Sequence, residues 1–187
     1  MSKKVALIGS GNAFFKDEGI GLYGAKYIKE NYDFDKEQLE IVDGGTLGFK
    51  LMPLLQEFDE VIIINTASDE NKTSGEISIK TTDEFLDGSL VKKTANEVEI
   101  AEMLQICSMA EHMANTTVIS IAPEDIISVE VGLTPALKEA WSKYIEISVG
   151  ALEKCGVAMQ KREPEALSLE AILDIFANPS IEHSRGF

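Results

Sequence analysis

Val61-Ile62-Ile63-Ile64 is the most apolar run of this chain, and it constrains the fold more than any other stretch. Four successive β-branched residues with no polar alternation read as a strand buried on both faces. Val5-Ala6-Leu7-Ile8, Leu39-Glu40-Ile41-Val42 and the segment from Thr116 to Ile121 predict three more strands. Between them the apolar spacing becomes helical. Ile20, Tyr23, Tyr27 and Ile28 mark one helix. Leu47 to Phe58 marks a second, turning Phe49, Met52, Leu54 and Leu55 inward, with Pro53 as a kink or as the true first turn. A third runs from Asn96 to His112 with Val98, Ile100, Ala101, Leu104 and Cys107 inward. A fourth runs from Pro135 to Lys154 behind Thr134 as its N-cap. Glu76 to Lys80 alternates like an edge strand, and Thr81 to Thr94 reads as irregular. Strands alternating with helices predict an α/β three-layer sandwich: a twisted, mostly parallel central sheet, helices on both faces, and Val61–Ile64 in the middle.

The 187 residues divide into an α/β domain over 1–156 and a C-terminal extension over 157–187. The extension holds one short helical pattern, Leu167 to Phe176, whose Leu169, Ile172, Leu173 and Phe176 stripe is expected to pack back on the domain. A net charge of -15 argues against a nucleic-acid surface, which needs clustered Lys and Arg. It fits a basic peptide, a cation or a basic partner, or simply a solvated acidic surface. Cys107 and Cys155 lack metal-type spacing, and Cys107 sits in an apolar stretch as a small hydrophobe. No run reaches membrane-spanning length and the first apolar run is too short for a signal peptide, so the expectation is a cytoplasmic protein with no membrane partner.

Sites in such sheets form outside the C-terminal ends of the strands. Three loops gather there: Gly9 to Glu18, Asp43 to Thr46, and Asn65 to Glu70. The first is glycine-rich and leads into a helix, a geometry that often cradles phosphate. Asp17 and Glu18 occupy that helix start, however, so the loop suits a cation better than an anion. Glu18 and Asp43 are expected on one rim. The plainer roles are a helix-start carboxylate for Glu18, worth under about 1 kcal/mol, and a turn residue bonding its own backbone for Asp43. Asn65 reads as a turn residue, Thr46 as an N-cap after the glycines, and Asn96 as the N-cap of its helix.

Taken together, these stretches resemble the endopeptidases that mature the large subunit of nickel-iron hydrogenases. Gly9-Ser10-Gly11-Asn12, Asp17-Glu18-Gly19-Ile20-Gly21, Asp43-Gly44-Gly45-Thr46 with Gly48, Ala122-Pro123-Glu124 and Gly132-Leu133-Thr134-Pro135 match that family's motifs in order, over roughly Lys4 to Lys154. The resemblance implies removal of a C-terminal extension from the hydrogenase precursor after nickel insertion. The partner would be that precursor, and the nickel would be carried by the substrate rather than held as a tightly bound cofactor. It also implies recognition of the nickel through a Glu, which falls on Glu18, an Asp, which falls on Asn65, and a His, which falls on Asn96. Two of the three positions therefore carry Asn. An Asn offers a neutral carbonyl oxygen in place of an anion or an imidazole, so metal recognition is expected to be weakened. Neither His112 nor His183 restores the site by position.

Two readings stay open. One is a working peptidase that uses Glu18 and Asp43 around the substrate's metal, which polarises the scissile carbonyl and acidifies a water. The other is a non-catalytic maturation or precursor-binding protein that kept the fold and lost metal capture. A dinucleotide site does not fit, because Phe14 stands where its third glycine is needed. The H-E-x-x-H zinc pattern is absent as well.

Overall fold

The computed structural model describes residues 2–45, 48–87 and 94–178. Its sheet holds β1 (Val5–Ser10), β3 (Leu39–Gly45), β4 (Glu60–Thr66), β5 (Ile77–Thr81) and β6 (Asn115–Ile121) in the order β3-β1-β4-β6-β5. β1 pairs parallel with β3 and β4, and β4 parallel with β6; only β5, on the edge, is antiparallel. β4, with the Val61–Ile64 run, is the central strand, and all seven of its residues are buried. The alternating pleat then builds two cores. Leu7, Ile62, Ile64, Ile119 and Ile121 face α1 (Ile20–Asn31) and α5 (Pro135–Lys154). Ala6, Ile8, Val61, Ile63 and Val118 face α2 (Met52–Glu57) and α4 (Ala95–Cys107). No described helix is long and apolar enough to cross a membrane.

The helix α1 lies close against the sheet because glycines remove side chains at the contact. A Cβ on Gly21 would stand 2.3 Å from the Ile64 carbonyl oxygen and 2.4 Å from that of Ser10, closer than any real contact. Pro53 marks the first turn of α2, after a 3₁₀ turn over Gly48–Leu51.

Several expectations are corrected. Phe49 and Val98 are 45% and 41% exposed instead of inward, Phe49 in the 3₁₀ turn and Val98 on the outer face of α4. The stretch read as irregular contains α3 (Thr82–Asp87), which packs through fully buried Phe85 and half-buried Leu86 and is closed by mutual hydrogen bonds between Thr81 and Glu84. α4 is capped by Thr94 in a reciprocal box with Glu97, so Asn96 is a first-turn residue and not the cap. The helix ends at Cys107, and His112 lies exposed beyond it. The second strand runs on through Asp43 to Gly45 with a bulge opposite Ser10. Thr46 lies outside the described residues.

The C-terminal segment packs as expected. Ile172 and Leu173 of α6 (Leu169–Ala177) join the core beside α1, and Phe176 meets Tyr23 edge to face at 5.0 Å. A two-stranded ribbon pairs β2 (Tyr32–Asp33) with β7 (Gln160–Lys161). Asn31, fully buried at the end of α1, fastens this segment with all its polar atoms. Its Oδ1 accepts from the N–H groups of Ala166 (2.8 Å) and Leu167 (3.0 Å). Its Nδ2 donates to the carbonyls of Leu167 (2.8 Å) and Tyr27 (3.0 Å). Asn31→Ala strands these partners, so we expect a loss of about 2 to 3 kcal/mol by urea denaturation. Limited proteolysis should then open the chain first near Ala166 and Leu167.

Candidate active site

The loop after β1 turns on Gly11, at φ 149°, where a Cβ would strike the Glu18 carbonyl oxygen at 2.0 Å. The next turn, a 3₁₀ segment over Lys16–Gly19, places two carboxylates of different fate. Asp17 is fully buried and accepts four hydrogen bonds. These come from the N–H groups of Glu124 (3.0 Å), Asp125 (2.9 Å) and Thr134 (2.8 Å), and from the Thr134 hydroxyl (2.8 Å). Thr134, in the N-cap position of α5, thus spends its side chain on Asp17 and not on its own helix. Asp17 ties the glycine-rich loop to the Glu124–Thr134 segment, which explains why those two motifs occur in one chain. It is a structural anchor, and not half of the pair of helix-start acids expected to suit a cation.

Glu18 is 7% exposed and lines a cavity of about 270 Å³ together with Asn12, Phe15, Asn96, Glu99 and Ile127. Burial, and then the charge of Glu97, push its carboxyl up to about 7. Glu97 is itself buried, and its oxygens accept from the N–H groups of Ser68 (2.6 Å) and Thr94 (3.3 Å). Its role is legible as the Thr94-Ala95-Asn96-Glu97 capping box, a signal that sequence reading passed over. Because Glu18 titrates higher in the fold than its usual 4.5, the native state holds the extra proton between those values. Stability should therefore fall as pH rises from about 4.5 to about 7 and level off above. After allowance for solvent at the cavity mouth, the fall is about 1 to 2 kcal/mol. Urea unfolding of the wild type beside Glu18→Gln checks this, since the variant should lack the slope.

The structure brings Asn96 to Glu18 in that cavity. The Asn96 Nδ2 donates to Ser10 Oγ at 3.0 Å, and Ser10 Oγ lies 3.2 Å from Asn96 Oδ1. Asn65 sits on β4 instead of in a turn. Ser120 Oγ donates to its Oδ1 at 2.6 Å, while its buried Nδ2 has no hydrogen-bond partner among the described residues. Asn65 follows Ile64, the partner of Gly9, so Ser10, Asn65 and Ser120 lie side by side on three strands, all on the pleat that faces α4. Asp43 goes elsewhere. It is exposed, its Oδ1 accepts from Gly45 N–H at 3.0 Å, and it lines a different cavity with Lys26, Lys29 and Phe176. The reason is the pleat: Asp43 shares the α1 side of β3 with Ile41, and the strand continues past the point where a turn was expected. Among the described residues no three His, Cys, Asp or Glu side chains are arranged to hold a metal ion.

These layers, with the buried carboxyl of Glu18 lining a cavity at the C-terminal ends of the strands, define an α/β domain. The family described as HycI, hydrogenase maturation protease, matches residues 23–151, and the chain belongs to that family. It is similar to the hydrogenase 2 maturation protease of Escherichia coli strain K12, 26% identical over 172 residues, which cover 91% of this chain and 99% of that protein. The hydrogenase expression/formation protein HupD of Rhizobium leguminosarum bv. viciae is 26% identical over 173 residues, 91% of this chain and 84% of its own. In fold, the hydrogenase maturating endopeptidase HybD from E. coli superposes with a TM-score of 0.79 at 24% identity, covering 85% of this chain and 98% of that one.

Proposed function

We propose that this protein acts in the cytoplasm on a nickel-iron hydrogenase large-subunit precursor, removing its C-terminal extension by peptide hydrolysis. The observation that carries this reading is Glu18, a buried carboxyl lining a cavity bounded by the loop after β1, the start of α4 and the Ile126–Ile127 loop. As the water oxygen bonds to the scissile carbonyl carbon, Glu18 takes the water's proton. As the C–N bond breaks, it returns that proton to the leaving nitrogen. Asn12, which lines the same cavity, offers its side-chain amide to the peptide entering there, while Asn96 stays bonded to Ser10. Asp43 lies outside this cavity, so the proposal gives it no part in the chemistry.

The nickel belongs to the substrate. Towards it the three positions offer one carboxylate, Glu18, and two neutral amides, Asn65 and Asn96, so the protein's hold on the ion is weak. A second reading rests on the amide contacts. Asn96 is engaged by Ser10 and Asn65 by Ser120, an arrangement suited to an internal hydrogen-bond layer. A protein built this way binds the precursor without cutting it. The two readings separate on whether the precursor is shortened by the wild type and left intact by Glu18→Gln.

A further inference from the structure

A second hollow, of about 690 Å³, opens between α1, α5 and the segment that runs from β7 into α6. Three aromatic side chains wall it: Tyr27, Tyr32 and Trp141. Tyr27 and Trp141 are buried and meet edge to face, with ring centres 5.6 Å apart, so this wall is rigid before anything binds. Among the described residues Glu146, Glu153, Glu165 and Glu170 stand around it against a single lining cation, Lys161. Glu165 accepts from the Tyr27 hydroxyl, and Lys138 lies 4.0 Å from Glu170. Among the described residues Glu146 and Glu153 have no ion-pair partner. Glu146 and Glu153 line the hollow together with Tyr32, and burial, followed by the charges of Glu153 and Glu146, raises the Tyr32 hydroxyl above its ordinary range.

Aromatic faces and carboxylates attract the same kind of group. A cation lies favourably over a Tyr or Trp ring, and the long apolar stem of Lys or Arg lies along such surfaces while its head reaches a charge. The hollow is far larger than a bare ion needs, and the chain's net charge of -15 steers basic segments towards it. We propose that this hollow is a docking site for a basic peptide segment of a partner protein, which lays lysine or arginine stems against Tyr32 and Trp141 and sets their charges beside Glu146 and Glu153. It adjoins the C-terminal end of α1, whereas Glu18 precedes the other end of that helix. The proposal therefore stands independently of the processing reading.

Trp141 is the only tryptophan in the chain, so its emission reports on this hollow alone. The test titrates the full-length protein with a short synthetic Lys/Arg peptide, and with the same peptide carrying Gln at each basic position. The basic peptide should change Trp141 emission saturably and lose affinity between about 50 and about 300 mM salt, while the neutral one should do nothing. Glu146→Gln/Glu153→Gln should weaken binding about tenfold. Glu102→Gln/Glu111→Gln, which removes the same charge from exposed positions around α4, should leave it unchanged. Equal weakening by both double variants, or binding with no change in Trp141 emission, would reduce the effect to diffuse charge and overturn the proposal. Equal affinity for the neutral peptide, or for spermidine alone, would overturn it as well. Glu18→Gln should bind the peptide like the wild type.

Discussion

Asp17→Ala should cost about 3 to 5 kcal/mol, a large share of the roughly 5 to 15 kcal/mol that holds a domain of this size. Four donors converge on this one fully buried carboxylate, and three of them are backbone N–H groups with no alternative in the packed loop. Removing the acceptor leaves them unpaired away from water, and each stranded donor carries its desolvation cost. Asp17→Asn should cost less, about 2 kcal/mol, because one acceptor oxygen remains while its new NH₂ faces donors. Urea denaturation gives the numbers. Hydrogen exchange should locate the damage at Glu124, Asp125 and Thr134. A loss under about 1 kcal/mol would show that the Glu124–Thr134 segment is held mainly by its apolar contacts.

The second large effect is a gain. Asn65→Asp/Asn96→His should raise Ni²⁺ affinity by on the order of a hundredfold over the wild type. The double variant supplies an anion and an imidazole at the two positions where this chain carries amides. Glu18 already supplies a carboxylate in the cavity that Asn96 lines. The gain should weaken as pH falls below about 7, because a proton on Glu18 then competes with the metal. Calorimetric titration measures it, and adding Glu18→Gln to the double variant should abolish it. If the triple variant binds as tightly as the double, Glu18 is not a ligand, and the inference from motif order to metal geometry fails.

Much of the fold is legible because apolar patterning speaks for itself. The Val61–Ile64 run gives the central strand. Thr134 and Pro135 fix the start of α5, and Pro53 fixes that of α2. α3 escapes because a six-residue helix pinned by the adjacent pair Phe85 and Leu86 has no period to detect. The start of α4 escapes for a different reason: Thr94 and Glu97 carry a readable capping box, but Asn96 looks equally good as a cap when taken alone. In the candidate site, Glu18 follows from its place after the glycines. Asp17 does not, because its partners lie 107 to 117 residues away and three of them are backbone groups with no side-chain signature. The side on which Asp43 emerges depends on one extra paired residue at the end of β3, a boundary that sequence patterns fix poorly.

The most direct measurement is the intact mass of a nickel-loaded hydrogenase large-subunit precursor after incubation with the wild type and with Glu18→Gln. Hydrolysis through Glu18 predicts a shortened precursor and a released C-terminal peptide with the wild type, and an uncut precursor with Glu18→Gln of unchanged fold. A precursor that forms a stable complex with the wild type and keeps its full mass would contradict hydrolysis and leave the protein as a precursor-binding factor. Equal shortening by both proteins would take Glu18 out of the chemistry.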